Sequence, residues 1–338
     1  MNPKTNPPTI ADVARKAGVS IATVSRVLNA STPVIAETAE RVNAAIADLN
    51  YAPRPAARML AGRRTDTIGL VLSEISGAFF SPMLRGIETG VREADFGLLI
   101  QSTPTIHVGG RPYHALAEHN TDGLIIFPEG MDEKEIRRLN ALGFPLVLMH
   151  LAPPEGLTIP MVTVENKSGA QSLVEHLITV HGRRRIAFLR GTEGHADSYW
   201  RERGYREALQ IHQIPFDPQL IGKGDFNADA AQATVRQWLL AGLQFDAIFA
   251  ADDESASGAL QALREAEKPV PQAVSVVGFD DISFAKYLNP PLTTVRAPTE
   301  QVGLEAVRQL MKLIHEGTAE AQVLLPTELV IRHSCGCS

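Results

Sequence analysis

With 338 residues, 44 % of them apolar, the chain is long enough to bury more than one core. Its net charge of −6 excludes a polybasic nucleic-acid coat, and its two cysteines exclude a disulfide framework, since a Cys-x-Cys pair closes too short a loop. No apolar run approaches the roughly 20 residues that span a bilayer, so no membrane partner is expected.

The charge is unevenly placed. Residues 1–65 carry nine Lys and Arg against four Asp and Glu, a net of +5 in a chain of net −6. A basic end on an acidic body suggests that this end meets a polyanion. Residues 1–8 are polar and proline-rich with no hydrophobic stretch behind them, so the expectation is a cytoplasmic protein without an export signal. Thr9-Ile-Ala-Asp12 reads as a capping box opening a helix with Ile10, Val13, Ala14 and Ala17 on one face, and Gly18 stops it. Ser20 can cap a second helix over 21–28, whose buried face is Val24, Val27 and Leu28. A third helix over 36–49 has Ala39, Val42, Ala45, Ile46 and Leu49 at helical spacing. The pattern has the length of a helix-turn-helix, and it also fits a small bundle with no DNA role. The basic charge and the short turn favour the first. Pro55 can begin a short helix over 56–61.

After residue 66 short apolar runs alternate with amphipathic stretches. The runs are 67–72, 96–101, 123–127, 145–149, 161–164, 185–189, 247–250, 274–277 and 292–295. Strands alternating with helices imply parallel sheets covered on both faces, and a chain this long should split them between two lobes. Neither a dinucleotide-binding glycine motif nor a P-loop is present. Ligands of open parallel sheets bind beyond the carboxyl ends of strands. That rule selects Phe79 and Phe80, His150, Asp252 and Asp253, and Asp280 and Asp281. At the carboxyl end, Ser334-Cys-Gly-Cys337 supplies two metal ligands, too few for zinc, so the tail is read as inert or partner-facing, with no metal and no cofactor expected.

Residues 9–29, Thr9-Ile-Ala-Asp-Val-Ala-Arg-Lys-Ala-Gly-Val-Ser-Ile-Ala-Thr-Val-Ser-Arg-Val-Leu-Asn29, closely resemble the DNA-binding signature of the lactose/galactose repressor (LacI/GalR) family. Tyr51-Ala-Pro-Arg-Pro-Ala-Ala-Arg-Met-Leu60 resembles that family's hinge segment. Later landmarks are Arg201-Glu-Arg-Gly-Tyr205, Gly224-Asp-Phe-Asn227, Ala250-Ala-Asp-Asp-Glu-Ser-Ala256, Val274-Ser-Val-Val-Gly-Phe-Asp-Asp281 and Pro290-Pro-Leu-Thr-Thr294. The resemblance implies a small all-α helix-turn-helix domain at 1–52, a hinge helix and linker at 53–66, and an effector-binding and dimerisation domain at 67–338. That last domain should be α/β, of two doubly wound parallel-sheet lobes like a periplasmic binding protein. The amino-terminal lobe would take 67–164 and 297–326, and the carboxyl-terminal lobe 165–296 and 327–338.

By the same resemblance Ile21, Ala22 and Arg26 face base edges, while Thr9, Thr23, Ser25 and Asn29 contact phosphates. Ala57 and Leu60 form the minor-groove hinge, with Leu60 wedged at the centre of a pseudo-palindromic operator by each chain of a homodimer. Phe79, Phe80, His150, Arg201, Phe226, Asp252 and Asp280 occupy the effector positions. Aromatic faces with Arg and carboxylates suit a carbohydrate. The sequence departs from the family at Arg54, where Asn is usual, at His150, where Asp is usual, and at Asp252, where Asn is commoner. Three function classes compete: a ligand-controlled transcription regulator, a periplasmic sugar carrier and a glycosidase-like enzyme. The helix-turn-helix and the missing export signal disfavour the carrier. The adjacent acid pairs cannot both point into one cleft, which disfavours the enzyme. A constitutive architectural DNA binder remains if the pocket is dead. The expected mechanism is linkage between ligand and operator binding, of either sign.

Overall fold

The computed structural model describes residues 8–29, 32–51, 64–102, 106–108, 111–113 and 116–337, and the chain forms two compact units, Met1–Thr65 and Asp66–Ser338. The first holds α1 (Ile10–Ala17), α2 (Ile21–Asn29) and α3 (Ala36–Leu49). Asp12 closes the first turn of α1 by accepting from the Thr9 N–H at 2.9 Å and from the Thr9 hydroxyl at 2.7 Å. Gly18 ends α1 at φ 66°, a left-handed conformation that glycine adopts without strain. The Ser20 hydroxyl oxygen accepts from the Thr23 N–H at 3.1 Å and so starts α2. Val13, Val24 and Val42, one from each helix, are wholly buried together with Ala14, Ala17, Ala45 and Tyr51.

The second unit opens with β1 (Thr67–Leu72), α4 (Phe80–Glu93), β2 (Gly97–Ser102) and a small hairpin of β3 (Ile106–Val108) and β4 (Arg111–Tyr113). It continues through β5 (Gly123–Ile126), α5 (Glu133–Ala141), β6 (Leu146–Met149) and β7 (Met161–Val164). Next come α6 (Asn166–Thr179), β8 (Ile186–Arg190), α7 (Ala196–Ile211), β9 (Ile221–Lys223) and α8 (Ala228–Leu240). The last stretch is β10 (Ala247–Ala250), α9 (Asp253–Glu265), β11 (Ser275–Asp280), β12 (Thr293–Arg296), α10 (Thr299–Glu316), β13 (Gln322–Leu325) and β14 (Glu328–Val330).

Two six-stranded sheets result. The amino-terminal lobe has the order β13-β7-β6-β5-β1-β2, all parallel. The carboxyl-terminal lobe has β14-β12-β11-β10-β8-β9, parallel except for the antiparallel edge strand β14. The central strands β5, β6, β10 and β11 are buried along their whole length, as strands covered on both faces must be. The chain passes between lobes after β7, after β12 and between β13 and β14. Val164, Val295 and Ala297, at two of these passages, belong to one apolar cluster containing residues of both sheets. Among the described residues no helix is long and apolar enough to cross a membrane.

Several strands start or stop a residue away from the apolar runs, and β9, β13 and β14 have no run at all. These are short or edge strands; β13 alternates exposed and half-buried residues, so little apolar sequence marks it. The expectation of an inert tail is corrected. The Thr293 N–H donates to the Ser334 hydroxyl oxygen at 2.8 Å, and the Ser275 hydroxyl donates to the Cys335 carbonyl at 2.7 Å. The Val276 N–H donates to the Ser334 carbonyl at 3.0 Å. Ser334 and Cys335 are wholly buried, so the tail is part of the carboxyl-terminal lobe.

Helices α4 and α10 approach through glycines. A Cβ on Gly86 would overlap the Glu300 carbonyl oxygen, and one on Gly303 would overlap the Met83 carbonyl oxygen. Gly86→Ala should therefore lower stability by about 1–3 kcal/mol through overpacking. Calorimetric melting should register this as a lower midpoint, whereas an unchanged midpoint would mean that the two helices part without cost.

Candidate functional site

On the amino-terminal unit the exposed side of α2 presents Ile21, which is 51 % exposed, with Ala22 and Arg26 also exposed. An isoleucine half open to water on a helix whose opposite side is core leaves an apolar surface that a thymine methyl can cover. Thr23 and Ser25 are half-buried on the same helix, and the Thr23 hydroxyl lies 2.9 Å from that of Ser20. Thr9 is exposed, with its hydroxyl proton directed to Asp12. The side chain of Asn29, and the whole of Arg54, Ala57 and Leu60, lie outside the described residues.

In the larger unit a cavity of about 500 Å³ opens between the lobes. The amino-terminal lobe supplies an aromatic wall. Phe80 meets Phe79 edge-on at 5.5 Å and Phe127 at 5.4 Å between ring centroids, and all three rings line the cavity. Phe127 directly follows β5, so the strand-end rule points to it as well, although in the sequence it reads as the last residue of an apolar run.

The carboxyl-terminal lobe supplies the charged side. Arg201, on α7, is 2 % exposed. Its Nε donates to Asn166 Oδ1 at 2.8 Å, Nη1 to the Ala251 carbonyl at 2.6 Å and Nη2 to Asp280 Oδ1 at 3.0 Å. Its guanidinium also stacks 3.8 Å from the centroid of Phe279. Asp280, at the end of β11, has φ 102°, and Phe226 has φ 54°; both conformations are costly for non-glycine residues and cluster at functional sites. Phe226 covers Gly191, where any Cβ would overlap its ring. Arg201, Phe226, Asp252 and Asp280 all line the cavity.

One expected contact, His150, is corrected, and a second, Asp252, has a further role. His150 is not among the cavity-lining residues: it is buried, and its ring packs edge-on to Phe79 and Phe127 at 5.7 and 5.8 Å. Its Nδ1 lies 2.7 Å from Asp197 Oδ2; an ionised carboxylate only accepts, so Nδ1 carries the proton. Asp252 lines the cavity, but its carboxylate is also the N-cap of α9, accepting from the N–H groups of Glu254 and Ser255 at 3.2 and 3.1 Å. Burial pushes the Asp252 carboxyl up to about 7, and the nearby Asp280 carboxylate adds to the rise. Asp280 is itself raised by burial, against the pull of Arg201. The neighbouring acids are engaged elsewhere. Asp253 accepts from the Thr294 hydroxyl and the Ile282 N–H, and Asp281 pairs with Arg296 and Arg332.

Sequence reasoning missed Asp197 and His195, which follow β8 and line the same cavity. Asp197 also accepts from Asn166 Nδ2 at 2.8 Å and from the Thr163 hydroxyl at 3.2 Å. Burial works against its charge, but the attraction and hydrogen bond of His150, with Arg201, hold it well below the ordinary carboxylate range. Burial pushes the His195 imidazole down to about 4, so it is neutral, and its buried Nδ1 has no partner among the described residues. The strand-end rule applied to β8 would have found both.

A helix-turn-helix unit joined to a two-lobed domain with a polar cleft defines a ligand-controlled DNA-binding protein. Residues 9–54 match the family model described as bacterial regulatory proteins, lacI family, and residues 174–335 match a periplasmic binding protein-like domain. The chain is 35 % identical over 335 residues to the HTH-type transcriptional regulator CelR of Thermobifida fusca, covering 97 % of this chain and 98 % of that one. A solved CelR–cellobiose complex matches with TM-score 0.73 and 34 % identity over 97 % of this chain and 99 % of that one. A lac repressor dimer bound to operator and an anti-inducer matches with TM-score 0.83 and 29 % identity over 98 % and 99 %. This chain therefore belongs to the lacI family of bacterial transcription regulators.

The raised Asp252 carboxyl has a consequence for stability. The folded protein keeps this proton up to about pH 7, whereas the unfolded chain releases it near 3.8. Stability from this group is therefore lost as pH rises between those values. Asp252→Asn keeps a capping oxygen and removes the charge. Melting curves from pH 4 to 8 should show the variant gaining on the wild type as pH rises, and parallel curves would contradict the assignment.

Proposed function

We propose that the chain is a cytoplasmic repressor that binds a pseudo-palindromic operator as a homodimer, and that a carbohydrate in the inter-lobe cleft controls its grip on DNA. The observation that carries the ligand class is the composition of the cleft. Phe79, Phe80 and Phe127 offer flat apolar faces from one lobe, while Arg201, Asp252, Asp280 and the neutral His195 offer hydrogen-bonding groups from the other. Sugars have this division, with C–H patches on ring faces and hydroxyls around the edge. The sugar bound in the related CelR complex supports the same class. Because the two sets come from different lobes, a ligand that touches both has an affinity that depends on the angle between them, which a switch requires. The engagement of Asp253 and Asp281 away from the cleft supports a binding protein over a hydrolase.

Calorimetry over a panel of mono- and disaccharides tests the reading. One sugar should bind with a stoichiometry of one per chain. Asp280→Asn should weaken it by about 1.5–3 kcal/mol, the worth of a hydrogen bond to a charged group. Phe80→Ala should weaken it as well while leaving melting above room temperature. Full affinity in both variants would move the ligand to another site. Arg201→Ala is a poor probe, because it strands Asp280 in the interior.

On the DNA side, Ile21, Ala22 and Arg26 are the proposed base-reading residues, with Thr9, Thr23, Ser25 and Asn29 on phosphates and Ala57 and Leu60 in the minor groove. Arg26→Ala should cost about 1–3 kcal/mol on the preferred operator and relax preference at one base pair per half-site. A binding selection that returns an unchanged operator from the Arg26 variant would remove that residue from base recognition.

A further inference from the structure

Outside the residues that line the cleft, four possible metal ligands converge in the carboxyl-terminal lobe. His176 lies in the last turn of α6 and His181 in the loop that follows. Cys335 and Cys337 come from the tail that packs beside β11 and β12. Their ligand atoms all lie within 4.8 Å of one another. The two imidazole Nε2 atoms are 3.2 Å apart, and Cys337 Sγ is 3.4 Å from His181 Nε2 and 3.7 Å from His176 Nε2.

These spacings have a simple geometric meaning. Nitrogens at about 2.0–2.1 Å and sulfurs at about 2.3 Å from one tetrahedral ion stand about 3.3 Å apart for two nitrogens and about 3.6 Å apart for a nitrogen and a sulfur. The three edges among His176, His181 and Cys337 fall around these values, and Cys335 Sγ lies within 4.8 Å of the other three ligand atoms. We propose that His176, His181, Cys335 and Cys337 form a closed four-coordinate site for a soft divalent ion of the zinc type. The expectation of no metal rested on the two cysteines alone; the other two ligands are supplied by the fold.

The surroundings fit the site. The Thr293 hydroxyl lies 3.1 Å from Cys335 Sγ and can donate to it, as outer hydrogen bonds to metal-bound thiolates do. Gly336 has φ 118°, and a Cβ there would press to 3.0 Å on His181 Nδ1. Glycine between the cysteines thus lets the tail pass the ring and turn both sulfurs to one point. Two thiolates and two imidazoles select zinc-like ions over magnesium or calcium. With four protein ligands the ion has no open position, so its role is to pin the tail to the end of α6.

The test uses the full chain, reduced and stripped of metal by a chelator, titrated with Co²⁺ alone and then with Zn²⁺. The expected result is one Co²⁺ per chain with the intense visible absorption of a four-coordinate thiolate site, lost again as Zn²⁺ displaces it. Cys337→Ser and His181→Gln should each weaken Co²⁺ by more than the roughly tenfold that even a lost outer partner costs. Their metal-free melting should match the metal-free wild type, which separates lost ligation from lost folding. A weak six-coordinate spectrum, less than one ion per chain, or full affinity in both variants would overturn the site.

Discussion

Arg201 is a positive charge almost wholly removed from water, and the carboxyl-terminal side of the cleft is arranged around it. Each of its hydrogen bonds reaches a different part of that lobe: Asn166 at the start of α6, Ala251 after β10 and Asp280 at the end of β11. Taking a guanidinium out of water costs several kcal/mol, and only a full set of partners offsets it. Removing one partner from such a pair costs about 3–5 kcal/mol, because the other is left buried and uncompensated. The ends of three elements are thus tied to one side chain.

That constraint explains other features of the cleft. Asp197 keeps its charge in the same interior because His150, Thr163 and Asn166 donate to it and Arg201 lies 3.8 Å away. His150 and Thr163 belong to the amino-terminal lobe and its passage outward, so this hydrogen-bond network links the two lobes behind the aromatic wall. A ligand entering in front of it meets groups whose partners are already set. Hydrogen-bonding capacity remains on the carboxyl groups of Asp280 and Asp252, which line the cleft, and a hydroxylated ligand can use it. The positive φ angles of Phe226 and Asp280 are tolerated because packing over Gly191 and pairing with Arg201 hold them.

Much of this was legible in the sequence, because local rules governed it. The capping box at Thr9 and Asp12, the stop at Gly18 and the apolar spacing through Val24 and Val42 each depend on a few neighbouring residues. The strand-end rule brought Phe79, Phe80, Asp252 and Asp280 toward one place, and family resemblance added Arg201 and Phe226. What escaped depends on distant partners. His150 reads as a strand-end ligand until Asp197, 47 residues on, turns it inward. Asp252 and Asp253 look equivalent until α9 takes one as its cap and Thr294 takes the other. Cys335 and Cys337 look inert until the fold sets His176 and His181 beside them.

Occupation of the cleft and grip on the operator are two readings of one equilibrium. Thermodynamic linkage then demands reciprocity: whatever factor the ligand applies to operator affinity, the operator must apply to ligand affinity. The direct measurement is a pair of isotherms, operator binding with and without the best-binding saccharide, and saccharide binding with and without operator. Equal factors, on the order of 5–150-fold, are expected in the two experiments. A saccharide that saturates the cleft and leaves operator affinity unchanged would contradict this linkage.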